Sequence, residues 1–270
     1  TGSVAAVTLT PLHLLRDLRL RYWSDWSKDL RKRYGVTAAQ ALDLGTRAAG
    51  RRPDLPGGDG RSFEEIWAAR PRRTPEEVAD FYREIGPWLT FRQVVYSRRR
   101  SFWAVLRALP RSRPGALLEW GCGVAPVTWW LAHVVPERPL RVTLVDVPSD
   151  HFTFSKWRLN PPWFLIEWLT SDEWRALNVT TTFDCVTALE TFEHVPRPDV
   201  EAVGLIDSLK VGGRLVENFI GHDGDAGGAD VGSPWREATY RVIQARCALE
   251  RGRPWDALGG GGTRVWRRLT

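Results

Sequence analysis

A few short stretches of this chain concentrate the residue types that chemistry needs. In Leu117-Leu118-Glu119-Trp120-Gly121-Cys122-Gly123-Val124-Ala125-Pro126 an apolar run ends in a carboxylate, then a glycine-rich turn, then a proline able to open a helix. Glycine serves where backbone angles are unusual or a ligand must approach the main chain closely. The following helix directs free N–H groups and its positive dipole end at that turn. Such a turn suits a carboxylate, a phosphate or a ribose, but Gly-x-Gly after a strand is also common in ordinary turns. The neighbouring polar groups therefore decide. Asp146 closes a second apolar run, and a carboxylate there can accept two hydrogen bonds from a ribose diol. Ser171-Asp172-Glu173 follows a third run, and Glu190, Glu193 and His194 follow a fourth. Histidine titrates near neutral pH, so His194 is the first candidate base. His222, oriented by Asp223, is the second, and Glu193 the third. Their plainer readings are a helix cap, a solvated glycine-rich loop and a surface helix residue.

These groups need a scaffold that gathers strand ends. Leu12, Leu15, Leu18, Tyr22 and Trp26 recur at three- and four-residue intervals, predicting an amphipathic helix over 11–34. Thr74-Pro75-Glu76-Glu77 is a helix start with Thr as cap and Pro at the first position. A further helix is predicted over 91–109, and 50–61 reads as a loop. Residues 1–114 thus form a helical N-terminal cap. Tyr22, Trp23 and Trp26 are its candidate aromatic lid over a substrate, with ordinary core packing as the alternative. Residues 115–270 alternate differently. Strands are predicted over 116–120, 141–145, 164–169, 183–188, 214–219 and 263–268. Helices are predicted over 126–134, 149–158, 199–209 and 234–250, with a turn at Gly212-Gly213. This is an α/β pattern with a largely parallel, doubly wound sheet. Ligands of such sheets bind beyond the strands' carboxyl ends, near the switch point.

Composition narrows the class. The chain has 270 residues, enough for one large α/β domain with an appendage. No run of about 18 apolar residues occurs, so no transmembrane helix is expected. No basic region followed by an apolar core opens the sequence, so no secretory signal is expected and the cytoplasm is the expected compartment. Cys122, Cys185 and Cys247 lack metal-ligand spacing, and an odd number argues against a disulfide framework, so no metal is expected. The net charge is +6, but the basic clusters Arg70–Arg73 and Arg98–Arg100 lack the aromatic interleaving of a stacking platform. A nucleic-acid partner is accordingly not expected.

At this point the sequence resembles a family. Glu119-Trp-Gly121-Cys-Gly123 is similar to the first motif of class I S-adenosylmethionine-dependent methyltransferases, and Asp146 to their ribose-binding acidic position. Phe183-Asp184-Cys-Val-Thr-Ala-Leu-Glu190-Thr-Phe-Glu193-His194-Val-Pro resembles their fourth-strand motif. Leu209-Lys210-Val211-Gly212-Gly213 resembles the turn before their fifth strand. The resemblance covers about residues 115–220 and implies a Rossmann-like, doubly wound, seven-stranded, mostly parallel sheet that binds S-adenosyl-L-methionine. It implies that Gly121, Cys122 and Gly123 meet the methionine part, and that Glu119 braces the loop. Asp146 and Val147 would lie at the ribose, Asp172 near the adenine, and Glu190 beside the substrate entrance. The chain departs from the pattern in having Ala125 for a third glycine, a large Trp120, and a long spacing from Glu119 to Asp146.

The expected activity is methyl transfer to a small-molecule acceptor, in specialised metabolism, by a protein that could form a homodimer. Three rivals share the cofactor. One is a cyclase or lyase releasing methylthioadenosine and a small cyclic amino acid. Another is an RNA methyltransferase, and the last a binding partner without catalysis.

Overall fold

The computed structural model describes residues 11–46, 65–66, 69–95, 99–110, 115–135, 139–177, 182–219, 231–254 and 262–270. Its helices before the sheet are α1 (Pro11–Tyr34), α2 (Ala38–Thr46), α3 (Pro75–Ile85), α4 (Pro87–Val95) and α5 (Arg99–Ala108). There follow β1 (Gly115–Trp120), α6 (Pro126–Val134), β2 (Leu140–Asp146), α7 (Asp150–Arg158), β3 (Phe164–Thr170), α8 (Ser171–Ala176) and β4 (Phe183–Ala188). The chain ends with α9 (Pro198–Ser208), β5 (Leu209–Glu217), α10 (Arg236–Arg246), β6 (Cys247–Arg251) and β7 (Arg264–Arg268).

Local chemistry explains the helix starts. Thr74 caps α3 by accepting from the Glu77 N–H, and Pro75 fills the position that needs no donor. Ser149 caps α7 the same way through Phe152 N–H. α2, which the sequence reading passed over, starts from a reciprocal pair: Gln40 N–H donates to Thr37 Oγ1, and Thr37 N–H to Gln40 Oε1. Over the range 91–109 the described helical residues belong to α4 and α5.

The sheet order is β3-β2-β1-β4-β5-β7-β6. Neighbours are parallel except at β7, which runs antiparallel to both β5 and β6. The six-stranded dinucleotide-binding order 3-2-1-4-5-6 thus gains one reversed strand near its edge. Two expectations change here. Gly212-Gly213 lies inside β5, in a register slip opposite Phe183 and Cys185, rather than in a turn before the strand. The helix predicted to reach residue 250 stops at Arg246, because Leu249 pairs with Trp266 and tertiary pairing overrides the helical preference of Cys-Ala-Leu-Glu-Arg.

Both sheet faces are covered, as parallel strands require. β1 alternates Leu117 toward one face and Leu118 toward the other, and every residue of it is buried. Leu118, Val186 and Leu215 pack with Leu205 of α9 and Ile243 of α10. On the opposite face Leu117, Val142 and Val216 share one core with Trp130 of α6 and Phe154 of α7. The same core takes in Trp26 and Leu30 of α1, Phe91 of α4 and Val105 of α5. The helices before β1 therefore pack directly on the sheet layer. Arg158 of α7 secures α1: its guanidinium bonds Asp29 at 2.6 Å and lies 3.6 Å from the Trp26 ring centre. No described helix is long and apolar enough to cross a membrane.

Candidate functional site

The strand order reverses direction between β1 and β4, and the loops leaving their carboxyl ends meet there. The glycine turn follows β1. Gly121 and Gly123 both have positive φ, 66° and 58°. A Cβ on Gly121 would strike Thr191 from the loop after β4, and one on Gly123 would strike Gln93 of α4. Gly121 is thus required by both its backbone angle and Thr191, and Gly123 by its angle, since the flexible Gln93 amide could shift.

The N–H groups of the turn show what it can hold. Gly121 and Cys122 N–H both donate to Val145 O, at 2.8 and 3.1 Å. Gly123 N–H donates to Asp146 Oδ2 at 2.5 Å, Val124 N–H to Gln93 Oε1 at 2.9 Å, and Ala125 N–H to Cys122 O at 2.8 Å. Pro126 has no N–H, and Thr128 gives its N–H and Oγ1 to the buried Glu119 at 3.2 and 2.6 Å. A phosphate cradle works by aiming such donors at the anion. Here they are committed within the chain, so the turn is a shaped wall rather than an anion nest.

Asp146 ends β2 beside this wall. Its Oδ2 holds the Gly123 N–H, and its Oδ1 accepts from Val147 N–H at 2.7 Å. His151 Nε2 lies 3.5 Å from the same Oδ1 and 3.1 Å from Ser149 Oγ. The ring packs edge-on against Tyr82 of α3, 5.7 Å between centres. A carboxylate offers about four lone-pair sites. With two taken by N–H donors and the side chain still 10% exposed, Asp146 keeps acceptors for a ligand.

The loop after β4 completes the cleft. Glu190 is exposed and has φ 52°, and its N–H donates to Asn218 Oδ1 at the end of β5, 2.6 Å away. Among the described residues, Glu190 and Ala125 (φ 50°) are the non-glycine residues with positive φ. They lie on the two loops that meet at the switch point. Strain of this kind costs of order 1–3 kcal/mol and gathers at functional sites. The helices before β1 reach the same loops. Asp150, opening α7, accepts from Tyr34 Oη at 2.6 Å and Thr90 Oγ1 at 2.8 Å. Burial, then Asp150 itself, pushes the Tyr34 hydroxyl pKa up.

Of the residues the sequence singled out, Glu119, Gly121, Cys122, Gly123, Asp146, Val147 and Glu190 lie on the loops or strand ends around this cleft. Glu193 and His194 form the short 3-10 turn Phe192–His194 just beyond, Glu193 buried and His194 half-buried. Asp172 lies in the first turn of α8 with its side chain 70% exposed, paired to Arg175 at 3.2 Å. The end of β3 is instead occupied by a capping box between Thr170 and Glu173. Tyr22 and Trp26 are 1% and 0% exposed, in the core between α1 and α6. Tyr22 stacks on Trp130, and half-buried Trp23 lies edge-on to Tyr22. His222 and Asp223 lie outside the described residues. The sequence reading missed Gln93, His151, Thr191 and Asn218. Asn218 directly follows β5, but the strand predicted over 214–219 enclosed it; Gln93 sits inside a helix and carries no strand-end signal.

No protein-family model matches this chain, and no curated protein matches it. Solved structures do. A chain of the complex between the Haloferax volcanii Trm112 methyltransferase activator and a methyltransferase is 12% identical, with 67% of this chain and 94% of that chain covered and a TM-score of 0.50. The N-methyltransferase NodS from Bradyrhizobium japonicum WM9 is 17% identical, over 65% of this chain and 98% of that chain, at a TM-score of 0.48. The CurJ carbon methyltransferase is 14% identical, over 97% and 72%, at 0.49. The fold is a Rossmann-like α/β sheet of seven mostly parallel strands.

Proposed function

We propose that this protein is a methyltransferase that uses S-adenosylmethionine to modify a small-molecule acceptor. The observation that carries this reading is the saturated glycine turn beside a half-filled carboxylate. A turn whose N–H groups are already engaged favours a ligand that packs closely on the backbone over one that brings phosphate. Asp146 retains acceptors suited to a ribose diol, and Gly121 and Gly123 leave bare backbone beside it for a ligand to approach.

Bound there, the cofactor would supply an activated methyl group on a cationic sulfur. The chain's part is alignment and exclusion of water, since displacement of a methyl group gains most from holding nucleophile and carbon in line. Glu119 and Asp146 fix the turn's shape, and Glu190, at the mouth of the cleft, faces the acceptor side. A proton from the acceptor would go to His194 or His222, with Glu193 as the third candidate. We assign Tyr22 and Trp26 to holding α1 on the sheet, and leave Asp172 out of the adenine site.

A small acceptor is favoured over RNA by the state of the arginines. Arg70, Arg158, Arg175, Arg197, Arg214 and Arg241 each face a carboxylate within 3.2 Å. These six arginines are thereby less available to a phosphate backbone. The test is incubation with S-adenosylmethionine alone and with candidate acceptors, reading the nucleoside product by mass spectrometry. S-adenosylhomocysteine formed only with an acceptor supports transfer. Methylthioadenosine formed without one overturns it in favour of cyclisation.

A further inference from the structure

Beside the glycine turn stands a half-buried side-chain amide whose NH2 has no hydrogen-bond partner among the described residues. Gln93 projects from α4, and its Oε1 accepts the Val124 N–H at 2.9 Å. An N–H can only donate, so the oxygen of the amide must face the turn and the NH2 must point away from Val124. The amide lies against Gly123, with Oε1 2.1 Å and Nε2 3.0 Å from where a Cβ on that glycine would lie. Among the described residues it donates to no atom of the chain. The surrounding donors are committed: Gly123 N–H to Asp146, Thr128 N–H to Glu119, and Ala125 N–H back to Cys122 O. The carboxylates nearby, Glu119 and Asp146, are acceptors. A ligand carrying its own carboxylate into this cradle therefore meets the Gln93 NH2 as the donor still to be used.

We propose that Gln93 is the specificity-determining residue for the carboxylate of the ligand's amino-acid arm. Its oxygen holds the turn while its NH2 holds the ligand. The proposal rests on the cofactor reading above, and adds to it a residue from the helices before the sheet. It makes α4 part of the binding site, placed there by Phe91 and Val94 in the shared core and by the Thr90 bond to Asp150.

The plainer role for Gln93 is to pin α4 to the turn, and two substitutions separate the roles. Gln93→Glu keeps an acceptor for Val124 N–H but replaces the donor with a negative charge. Gln93→Met keeps the length and loses both. The experiment is calorimetric titration of the full chain and both variants with S-adenosylhomocysteine, which has the carboxylate, and 5′-methylthioadenosine, which lacks the whole amino-acid arm. The expected affinity order for S-adenosylhomocysteine is Gln, then Met, then Glu. Glu should fall at least about tenfold below the parent, the worth of a charge-assisted hydrogen bond, while methylthioadenosine affinity stays within about twofold.

A pinning residue would give the opposite order, with Glu retaining more affinity than Met, and that result overturns the proposal. Equal losses for both ligands overturn it too, and the Met variant keeps the comparison decisive if the Glu variant does not fold. A parent protein that binds neither ligand overturns the cofactor reading itself, and the assignment of Gln93 with it.

Discussion

Two carboxylates end strands of the same sheet and meet opposite fates. Glu217 ends β5 and is completely buried. Its Oε1 accepts from Trp266 Nε1 at 2.9 Å with Arg264 Nη1 3.6 Å away, and its Oε2 accepts from Phe219 N–H at 2.8 Å and Tyr240 Oη at 3.0 Å. Arg264 in turn donates to Tyr240 Oη at 2.7 Å and to Arg253 O at 3.0 Å. Burial, then the charge of Glu217, drives the Tyr240 hydroxyl pKa up. Three hydrogen bonds and a guanidinium thus engage both oxygens of Glu217. Asp146 ends β2 with two backbone N–H donors, a histidine edge and a remaining opening to solvent. Residue type and strand-end position are shared, so neither tells a structural acid from a binding acid. The number of donors the fold itself supplies does. A filled carboxylate holds the sheet together, and a half-filled one is left for a ligand.

The comparison breaks most readily at Glu217. Glu217→Ala would leave the Arg264 cation buried without its partner, along with the Trp266 and Phe219 donors. Removing one member of a buried pair costs about 3–5 kcal/mol, so the urea midpoint should fall steeply, with ligand affinity of the folded fraction little changed. A loss under about 1 kcal/mol would show that the carboxylate is not structural. Asp146→Ala should show the reverse pattern. It frees one turn N–H, costing about 1 kcal/mol of stability, and weakens S-adenosylhomocysteine binding by about 1.5–3 kcal/mol. Unchanged affinity by calorimetry removes Asp146 from the ligand. A finer cut is Tyr240→Phe, which deletes the hydroxyl bridging Arg264 and Glu217. It should cost about 0.5–1.5 kcal/mol of stability, with binding unaffected.

The difference between the two acids also marks what the sequence could reveal. The helix starts at Thr74 and Ser149, the strand carrying Glu119, and the reversal of polarity at Asp146 are local patterns, and local patterns survive in one dimension. Glu217 drew no notice, although it stands at a strand end like Asp146, because its partners Tyr240, Arg264 and Trp266 come from α10 and β7. β6 was hidden for the same reason: its five residues have helical propensity, and only pairing with β7 makes them a strand. Gln93 was out of reach because its role exists only where α4 crosses the turn, 31 residues later in the chain. Asp172 looked like a strand-end acid, yet the capping box on Thr170 turns the chain into α8 and swings that side chain to solvent.

The smallest expected effect tests the strain on the ligand side of the comparison. Ala125 precedes α6 with φ 50°, a left-handed angle that costs an L-residue about 1–2 kcal/mol. Ala125→Gly removes that cost but gives the unfolded chain more freedom, worth about 0.4–1 kcal/mol in the other direction. The sum is neutral to about 1 kcal/mol stabilising, read as an unchanged or slightly higher denaturation midpoint. The angle itself should persist, because Ala125 N–H is held by Cys122 O and its carbonyl accepts from Trp129 N–H at 3.1 Å. Ligand affinity should persist with it. A destabilisation of more than about 1 kcal/mol would mean that the fully buried Ala125 methyl contributes more by packing than it costs in strain. In that case the turn would be held by its core contacts, as Glu217 is held by its donors. Strain would then no longer distinguish the binding end of the sheet from the structural one.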